Sequence, residues 1–281
     1  MSHDKIYSYA KINLALNIIG KTSKLHTIET LVVFVDLFDE ILIKKIISKK
    51  NDISFSGKFS KNINQHNTIS KLFDILEKLK LLKNQKFQIR IKKSIPVEAG
   101  LGGGSMNAAN ILKYLIKKKI IKAKKNEISR VCNLIGSDVI LGLDPKFTIL
   151  YSKKRIKRFL FRKKIHLMIV KPNFGCSTKI IYSKVKKLDR PKFNNPNKKM
   201  FKFNSLLKMN NSLELVAFKK YPKLKKLKSL IEKLTNPSFV RMTGSGSALV
   251  AYFTSKKLCE NAKKIISKKY KNYWCIASKT I

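Results

Sequence analysis

Residues 95–105 read Ile95-Pro96-Val97-Glu98-Ala99-Gly100-Leu101-Gly102-Gly103-Gly104-Ser105, and this glycine-rich stretch decides the fold. Alternating apolar residues over 87–91 predict a strand before it, and apolar residues at helical spacing over 108–115 predict a helix after it. Glycines let successive backbone N–H groups turn toward one point, and the start of a helix adds free N–H groups and a positive dipole end. The order of strand, glycine loop and helix therefore favours a cradle for phosphate groups over a flexible turn.

Two better-known phosphate-binding motifs do not fit the chain. Gly20-Lys21-Thr22 ends like a Walker A loop, but the glycine that such a loop needs five residues earlier is Ala15. The glycine-rich stretch also lacks the Gly-x-Gly-x-x-Gly spacing, with an acidic residue about 20 positions on, of dinucleotide-binding folds. It therefore belongs to another kind of phosphate-binding loop.

The charge of the chain is strongly one-sided, with 62 basic and 16 acidic residues and a formal net charge of +46. Such a balance is typical of proteins that bind nucleic acid or anionic membranes. The lysines are spread from Lys5 to Lys279, however, and no zinc-finger spacing or aromatic-rich RNA-binding signature accompanies them. We therefore interpret the charge as a solvated surface in a chain biased toward lysine, and we expect no specific nucleic-acid partner and no membrane partner.

The four cysteines stand far apart, in or beside apolar stretches, at positions 132, 176, 259 and 275. Because no C-x-x-C pair occurs, buried reduced thiols are a simpler interpretation than a zinc site or a redox pair. No signal peptide is evident, and no segment reaches the ~20 apolar residues of a membrane span. These features predict a cytoplasmic protein.

Lysine and arginine crowd together over 153–165, and we predict two domains there, at 1–158 and 159–281. Before this boundary, strand-like runs occupy 31–35 and 40–45, and a helix capped by Asn67-Thr68 is predicted over 69–79. After it, the periodicities predict strands at 166–170, 239–242, 248–253 and 273–277 and helices at 177–184, 224–234 and 258–265. Helices and mixed strands in this order are typical of an α+β domain with a ferredoxin-like plan.

Three segments together resemble the GHMP kinases, a superfamily of small-molecule kinases. Residues 96–105, Pro-x-x-x-Gly-Leu-Gly-Gly-Gly-Ser, are similar to the second, phosphate-binding motif of that superfamily. Tyr9-Ala10-Lys11-Ile12-Asn13-Leu14 is similar to the first motif, and Met242-Thr243-Gly244-Ser245-Gly246-Ser247 is similar to the third. The resemblance implies a two-domain α+β GHMP kinase fold, with an N-terminal ribosomal-protein-S5-like domain, a C-terminal ferredoxin-like domain and a site between them.

The resemblance further implies ATP and Mg²⁺ as cofactors and phosphoryl transfer to a hydroxyl group as the reaction. Asp138 would take or orient the proton of the attacking alcohol, and Lys11 would lie beside it and neutralise developing charge. Without the resemblance, Asp138 would be interpreted as a turn or capping residue and Lys11 as a surface lysine. The nucleotide-binding residues that the resemblance implies are Asn67, Lys93, Pro96, Val97, Glu98, Ala99, Gly100, Leu101, Gly102, Gly103, Gly104, Ser105, Met106, Thr243, Gly244, Ser245 and Gly246.

Within the superfamily, the sequence resembles the 4-diphosphocytidyl-2-C-methyl-D-erythritol kinases. Residues 24–28, Lys-Leu-His-Thr-Ile, stand where that family has Gly-Tyr-His-Thr-Leu, and residues 136–139, Gly-Ser-Asp-Val, stand where it has Gly-Ala-Asp-Val. The resemblance implies phosphorylation of the 2-hydroxyl group of cytidine diphosphate-linked methylerythritol, a step of the non-mevalonate isoprenoid route. It assigns substrate contacts to Asn13, Leu25, His26, Thr178 and Tyr182. His26 would bind the cytosine ring, Asn13 would contact the erythritol part, and Leu25 and Tyr182 would enclose the base.

Three residues depart from the pattern of that family. Leu25 replaces an aromatic residue, Glu98 stands where a small residue is usual and adds negative charge near the phosphates, and Met106 replaces a serine. Two alternative interpretations stay open: a GHMP kinase for another alcohol, such as mevalonate or homoserine, and a basic nucleic-acid-binding protein with a kinase-like fold. A substrate panel tests the first, and a steep salt dependence of nucleic-acid binding tests the second. We expect a monomer or a weak homodimer.

Overall fold

The computed structural model describes residues 3–22, 26–61, 63–152 and 155–281. The strands, in chain order, are β1 (Asp4–Lys21), β2 (His26–Ile46), β3 (Asp52–Ser56), β4 (Lys86–Lys92), β5 (Phe147–Tyr151), β6 (Arg155–Phe159), β7 (His166–Lys171), β8 (Phe239–Met242), β9 (Leu249–Phe253) and β10 (Trp274–Lys279). The helices are α1 (Thr68–Lys78), α2 (Gly103–Lys117), α3 (Lys125–Ile135), α4 (Val139–Gly142), α5 (Thr178–Ser183), α6 (Phe203–Leu207), α7 (Leu213–Lys220), α8 (Pro222–Thr235) and α9 (Lys256–Lys269), with a 3₁₀ turn at Lys198–Phe201.

The chain forms two compact units, and the first comprises the described residues of Met1–Lys11, Leu37–Val97 and Gly102–Pro145. In this unit β4 pairs parallel with β3 and antiparallel with the second half of β2. The helices α1, α2 and α3 pack together, and their apolar faces share one core with the inward side chains of β4, such as Phe87 and Ile89.

The second unit comprises the described residues of Ile12–Asp36, Glu98–Leu101 and Lys146–Ile281. It contains an antiparallel sheet in the strand order β10-β7-β9-β8, with α8 and α9 packed on it over a second core. The first half of β2 pairs antiparallel with β5, and β5 pairs with β6. The strands and helices predicted beyond the basic stretch are present, and the predicted α+β class is confirmed.

The elements on either side of the glycine-rich stretch form as its sequence predicts. The alternating apolar residues over 87–91 are buried along β4, and α2 begins inside the glycine run at Gly103. Asn67 caps α1 as predicted. Gly136 directly follows α3, and its φ of 174° is extended backbone that any residue adopts.

One strand prediction is wrong, because β2 is continuous over 21 residues where the sequence predicts two runs at 31–35 and 40–45. Two aspartates lie between the runs. Asp36 is exposed, whereas Asp39 is fully buried and accepts hydrogen bonds from the N–H groups of Ser94 and Ile95. A buried carboxylate with partners on a neighbouring segment does not interrupt pairing, so the strand continues through it.

The predicted division of the chain at residue 158 stays a prediction.

Among the residues that the structure describes, none of the helices combines the length and the apolar composition needed to cross a bilayer.

Candidate active site

Lys11 and Asp138, the two residues predicted to be catalytic, form an ion pair in the first unit. The Nζ atom of Lys11 lies 3.0 Å from Oδ2 of Asp138. The lysine side chain is only 4 % exposed, whereas that of Asp138 is 28 % exposed. Asp138 directly precedes α4, yet its carboxylate does not cap that helix. The pair therefore combines a buried cation with a carboxylate that a reactant can reach.

Gly102 positions the side chain of Lys11. Its φ of +69° lies in the left-handed region, and a Cβ atom there would lie 2.6 Å from Cγ of Lys11. Only glycine combines this backbone conformation with so close an approach. Gly102 thus opens α2 and also makes room for the lysine.

The start of α2 is suited to binding an anion. Among the described residues, no side chain caps this helix, so the N–H groups of its first turn have no capping partner. The ammonium of Lys93 lies 3.3 Å from the position that a Cβ of Gly103 would take, and the hydroxyl of Thr68 donates to the carbonyl of Gly104 over 3.0 Å. Unpaired N–H groups, a positive dipole end and a buried lysine together favour a phosphate group.

Asn67, predicted to bind nucleotide, uses its side chain to cap α1. Its Oδ1 atom accepts hydrogen bonds from the N–H groups of Ile69 and Ser70, at 2.9 and 3.2 Å. Its amide group donates to two carbonyls just upstream. These bonds give Asn67 a structural role that is independent of any nucleotide, and its contact with ATP stays a prediction.

The other predicted nucleotide residues of the first unit differ in exposure. Met106 is fully buried, with its Sδ atom 2.9 Å from the position that a Cβ of Gly142 would take. Pro96 is buried, whereas Val97 is exposed. Ser105 lies in the first turn of α2 and is partly exposed. The methionine that departs from the family pattern therefore fills core space.

The tip of the glycine-rich stretch, Glu98–Leu101, is attached to the third motif within the second unit. The N–H groups of Ser247 and Ala248 donate to the carbonyls of the first two tip residues, at 3.1 and 3.2 Å. The hydroxyl of Thr243 donates to the carbonyl of Gly100 over 3.2 Å. Gly100 has φ +72°, and any Cβ there would collide with the carbonyl oxygen of Thr243. The predicted residues Ala99, Leu101, Gly244, Ser245 and Gly246 lie in this tip and in the buried turn between β8 and β9.

Asn13 connects the first motif to the third. Its N–H group donates to the hydroxyl of Thr243 over 3.0 Å, and its side-chain amide donates to the hydroxyl of Thr30 over 2.9 Å. Its Oδ1 atom lies 3.4 Å from the position that a Cβ of Gly244 would take. Asn13 is buried, so these bonds organise the motif, and its contact with the erythritol part stays a prediction.

Glu98 directs its carboxylate at Gly175 in the second unit. A Cβ atom at Gly175 would lie 2.7 Å from Cβ of Glu98 and would collide with the carboxylate. Burial lowers the pKa of Lys171, and the negative charge of Glu98 opposes that shift. The carboxylate of Glu98 therefore lies beside Gly175, and its negative charge interacts favourably with the positive charge of Lys171.

We expect Gly175→Ala to raise the KM for ATP by roughly tenfold, which corresponds to about 1.4 kcal/mol. The new methyl group would displace Glu98 and, with it, the tip of the glycine-rich stretch. Steady-state kinetics with ATP varied measure the effect. The matched control is the double variant Glu98→Gly/Gly175→Ala, which lacks both the carboxylate and the Cβ atom at position 98, so the collision is removed and KM should return toward the wild-type value. An unchanged KM in the single variant would contradict a role for Glu98 in holding the tip.

His26 and Tyr182 bring two aromatic rings together in the second unit. Their ring centroids lie 5.3 Å apart, and the ring planes are inclined by 45°. The Nε2 atom of His26 is buried and has no hydrogen-bond partner among the described residues. Burial, assisted by the positive charge of Lys21, lowers the pKa of His26. A neutral ring with an unpaired buried nitrogen is suited to a ligand that supplies the missing partner.

The two remaining predicted substrate residues have different outcomes. Thr178, the first residue of α5, shares a hydrogen bond of 2.9 Å with the hydroxyl of Ser245 in the third motif. Leu25, predicted to contact the base, lies outside the described residues.

Asp39 and Arg241 are among the buried charged residues beside the motifs that the sequence does not predict as functional. Asp39 contacts the segment that leads into the glycine-rich stretch. Arg241, at the end of β8, donates to the carbonyls of Leu14, Leu206 and Met209 and so braces the first and third motifs. For Arg241 the sequence offers one signal, a single charged residue within an apolar run. Asp39 offers no such signal, because Glu40 follows it directly.

Comparison with known proteins agrees with this fold. The model of the GHMP kinases N terminal domain matches residues 67–149, and that of the GHMP kinases C terminal domain matches residues 185–272. The fold and the site therefore define a small-molecule kinase of the GHMP type, as predicted.

Individual relatives narrow the assignment. A 4-diphosphocytidyl-2-C-methyl-D-erythritol kinase of Pelagibacter ubique is 54% identical over the whole of both chains, and one of Buchnera aphidicola subsp. Schizaphis graminum is 34% identical over 89% of this chain and 85% of its own. A crystal structure of a 4-(cytidine 5'-diphospho)-2C-methyl-D-erythritol kinase shares the fold with a TM-score of 0.78, at 20% identity over 99% of this chain and 100% of that chain. A homoserine kinase of Cytophaga hutchinsonii shares it with a TM-score of 0.72, at 15% identity over 100% and 95%. The chain belongs to the 4-diphosphocytidyl-2-C-methyl-D-erythritol kinase family.

Proposed function

We propose that this kinase transfers the γ-phosphoryl group of ATP to the 2-hydroxyl group of 4-diphosphocytidyl-2-C-methyl-D-erythritol, in the non-mevalonate route to isoprenoid precursors. The observation that carries the proposal is the Lys11–Asp138 pair beside Gly102, at the opening of a helix suited to phosphate. The name of the 54% identical relative supports the choice of substrate.

The proposed reaction places a proton on Asp138. The hydroxyl oxygen forms a bond to the γ-phosphorus, the bond from that phosphorus to the bridging oxygen breaks, and ADP leaves. Asp138 accepts the hydroxyl proton, and the buried ammonium of Lys11 holds the carboxylate in position and offsets negative charge that develops nearby. Phosphoryl transfer depends mainly on positioning and electrostatic stabilisation, which such a pair supplies.

The polyphosphate of ATP would lie at the start of α2. The N–H groups after Gly102 and the ammonium of Lys93 would donate to phosphate oxygens. Within the described residues, no group of three or more His, Cys, Asp or Glu side chains could hold a metal ion. Mg²⁺ does not need such a group, because it keeps several waters and takes much of its coordination from substrate phosphates. The hydroxyl of Ser105, in the first turn of α2, would supply an oxygen ligand, and the ion would neutralise phosphate charge.

The cytosine of the substrate would bind at His26. A neutral imidazole offers one hydrogen-bond donor and one acceptor, which suits the amino group and ring nitrogen of cytosine. The unpaired buried Nε2 atom supports this role. Tyr182, beside the histidine, would stack on the base, while Asn13 and Thr178 would contact the remainder of the substrate.

The activity should therefore depend on pH through His26. Since burial lowers its pKa below the ordinary 6.5, the ring stays neutral in the folded enzyme to more acidic pH than usual. Protonation removes the acceptor, so kcat/KM for the cytidyl substrate should be level near pH 7 and should fall as the pH drops below 6.5. The pH profile of kcat/KM measures this, and His26→Gln, which does not titrate there, should lack this decline. A His26→Gln profile with the same decline would contradict the assignment.

A coupled assay that follows ADP formation tests the proposed function. We expect ATP turnover with 4-diphosphocytidyl-2-C-methyl-D-erythritol and little with mevalonate, with homoserine or without acceptor. Preferred turnover of either of the other alcohols would overturn the substrate assignment while leaving the kinase class in place.

We also propose that the protein acts in the cytoplasm as a monomer or weak homodimer, on a small molecule and without a specific nucleic acid. Burial raises the pKa of the thiols of Cys132, Cys176 and Cys259 to about 11. Thiols with such values stay protonated and react slowly, so these cysteines serve the packing of the core rather than redox chemistry.

A further inference from the structure

Asp39 is a fully buried carboxylate that receives hydrogen bonds from four donors. Oδ1 accepts from the N–H groups of Ser94 and Ile95, at 2.8 and 2.9 Å. Oδ2 accepts from the ammonium of Lys93 and from the side-chain amide of Asn107, the latter at 3.0 Å. A carboxylate with this many donors is held in one orientation.

The four donors lie at both ends of the glycine-rich stretch. Lys93 and Ser94 directly precede it, Ile95 is its first residue, and Asn107 follows it in the second turn of α2. Asp39 itself is part of β2, a long strand anchored by its pairing with β4. The carboxylate therefore ties both ends of the loop to a rigid element.

Lys93 needs such a partner. Its side chain is 3 % exposed, and among the described residues its ammonium makes one hydrogen bond, to Asp39. An ammonium has three donors, and this one lies beside Gly103 at the positive end of α2. A buried cation at that end of a helix is unfavourable unless negative charge is supplied. Asp39 supplies one negative charge, and an incoming phosphate would meet the remaining donors.

We propose that Asp39 is a positioning residue of the ATP site, which holds Lys93 and both ends of the glycine-rich stretch in their phosphate-binding arrangement before ATP arrives. This inference rests on the proposed function, because it takes that stretch as the ATP site. Asp39 acts through Lys93 and the loop backbone, while the proton transfer belongs to other residues.

The variant Asp39→Asn tests the proposal with almost no change in side-chain size. Its carbonyl oxygen can still accept from Ser94 and Ile95, but its amide then meets the ammonium of Lys93, which can only donate. Asn107 can turn its unpaired Oδ1 atom toward that amide, so the loss falls on Lys93. We expect the Kd and the KM for ATP to rise by roughly tenfold or more, the scale of hydrogen bonds to charged groups. The KM for the cytidyl substrate should stay unchanged. Calorimetry with ATP and steady-state kinetics measure these values.

Glu29→Gln is the matched control, because Glu29 is a second fully buried carboxylate. It accepts hydrogen bonds from the amide of Asn17 and from the N–H groups of Lys192 and Phe193, and none from the glycine-rich stretch. We expect this variant to lower the melting temperature as Asp39→Asn does, without changing the Kd for ATP. An equal loss of ATP affinity in both variants would overturn the proposal, since it would reflect stability alone.

A milder variant covers the case in which Asp39→Asn does not fold. Asn107→Ala removes one donor and leaves the contact between Asp39 and Lys93, so we expect a folded protein with a Kd for ATP raised roughly two- to fivefold. An unchanged Kd in Asn107→Ala would overturn the positioning role.

The wild-type protein separates the two proposals. If it binds no ATP, the proposed function is refuted. If it binds ATP and the Asp39→Asn variant binds ATP equally well, only the positioning role is refuted.

Discussion

Replacement of Asp138 by asparagine should reduce kcat by roughly 10²–10⁴, the usual contribution of a positioned acid–base group. Asparagine keeps the size of the side chain but cannot accept the proton of the attacking hydroxyl group. It also removes the negative charge that lies 3.0 Å from the ammonium of Lys11. Because Asp138 does not cap α4, the fold should survive, and calorimetry should show a nearly unchanged Kd for ATP.

Asp74→Asn provides the control for the loss of one carboxylate. Asp74 lies exposed on α1 in the same unit as Asp138, so we expect its variant to keep wild-type kcat. Near-wild-type turnover in Asp138→Asn would remove Asp138 from the mechanism. A fall in ATP affinity as large as the fall in kcat would instead place Asp138 in the nucleotide site.

Gly102→Ala should reduce kcat by roughly 10²-fold, because a misplacement of about 1 Å in a catalytic group costs a factor of that size. The added Cβ would lie 2.6 Å from Cγ of Lys11, and the φ of +69° is unfavourable for alanine. The lysine stem must move, and its ammonium moves with it. Steady-state kinetics give the fall in kcat, and calorimetry should show weaker ATP binding because the start of α2 is disturbed as well.

Gly20→Ala separates this effect from a general cost of adding a methyl group. Within the described part of the chain, the nearest neighbour of a Cβ at Gly20 would be the side chain of Thr27, 3.4 Å away, and the backbone of Gly20 is not in the left-handed region. We expect wild-type ATP affinity and kcat from this variant. If Gly102→Ala were equally active, the position of Lys11 would not depend on the glycine.

Local patterns in the sequence account for the elements around the ATP site. The alternation over 87–91 predicts β4, the glycine run predicts the loop, and the residues after it predict α2. The cap of α1 by Asn67 also follows from its own segment. In each case the residues that determine the structure lie within a few positions of one another. A single sequence is therefore enough to predict these elements.

Contacts between distant segments could not be predicted in this way. Periodicity does not show that Lys11 meets Asp138, and only the resemblance to a family placed them together. The burial of Asp39 depends on donors more than fifty positions away. Because the local sequence does not show these donors, it predicts two strands where the structure has the single strand β2. The contact of Glu98 with Gly175 depends in the same way on where the tip of the glycine-rich stretch lies.

The contact of Glu98 with Gly175 also constrains the order in which the two positions can change during evolution. A chain with glycine at position 98 lacks the atoms that a Cβ at 175 would meet first, so alanine would be accommodated there more easily. Once glutamate occupies position 98, its carboxylate fills the space over Gly175, and that glycine can no longer be exchanged alone. A path that keeps ATP affinity at every step therefore gains glycine at 175 before glutamate at 98. The reverse path restores glycine at 98 first, so the glutamate raises the cost of replacing Gly175 in its descendants.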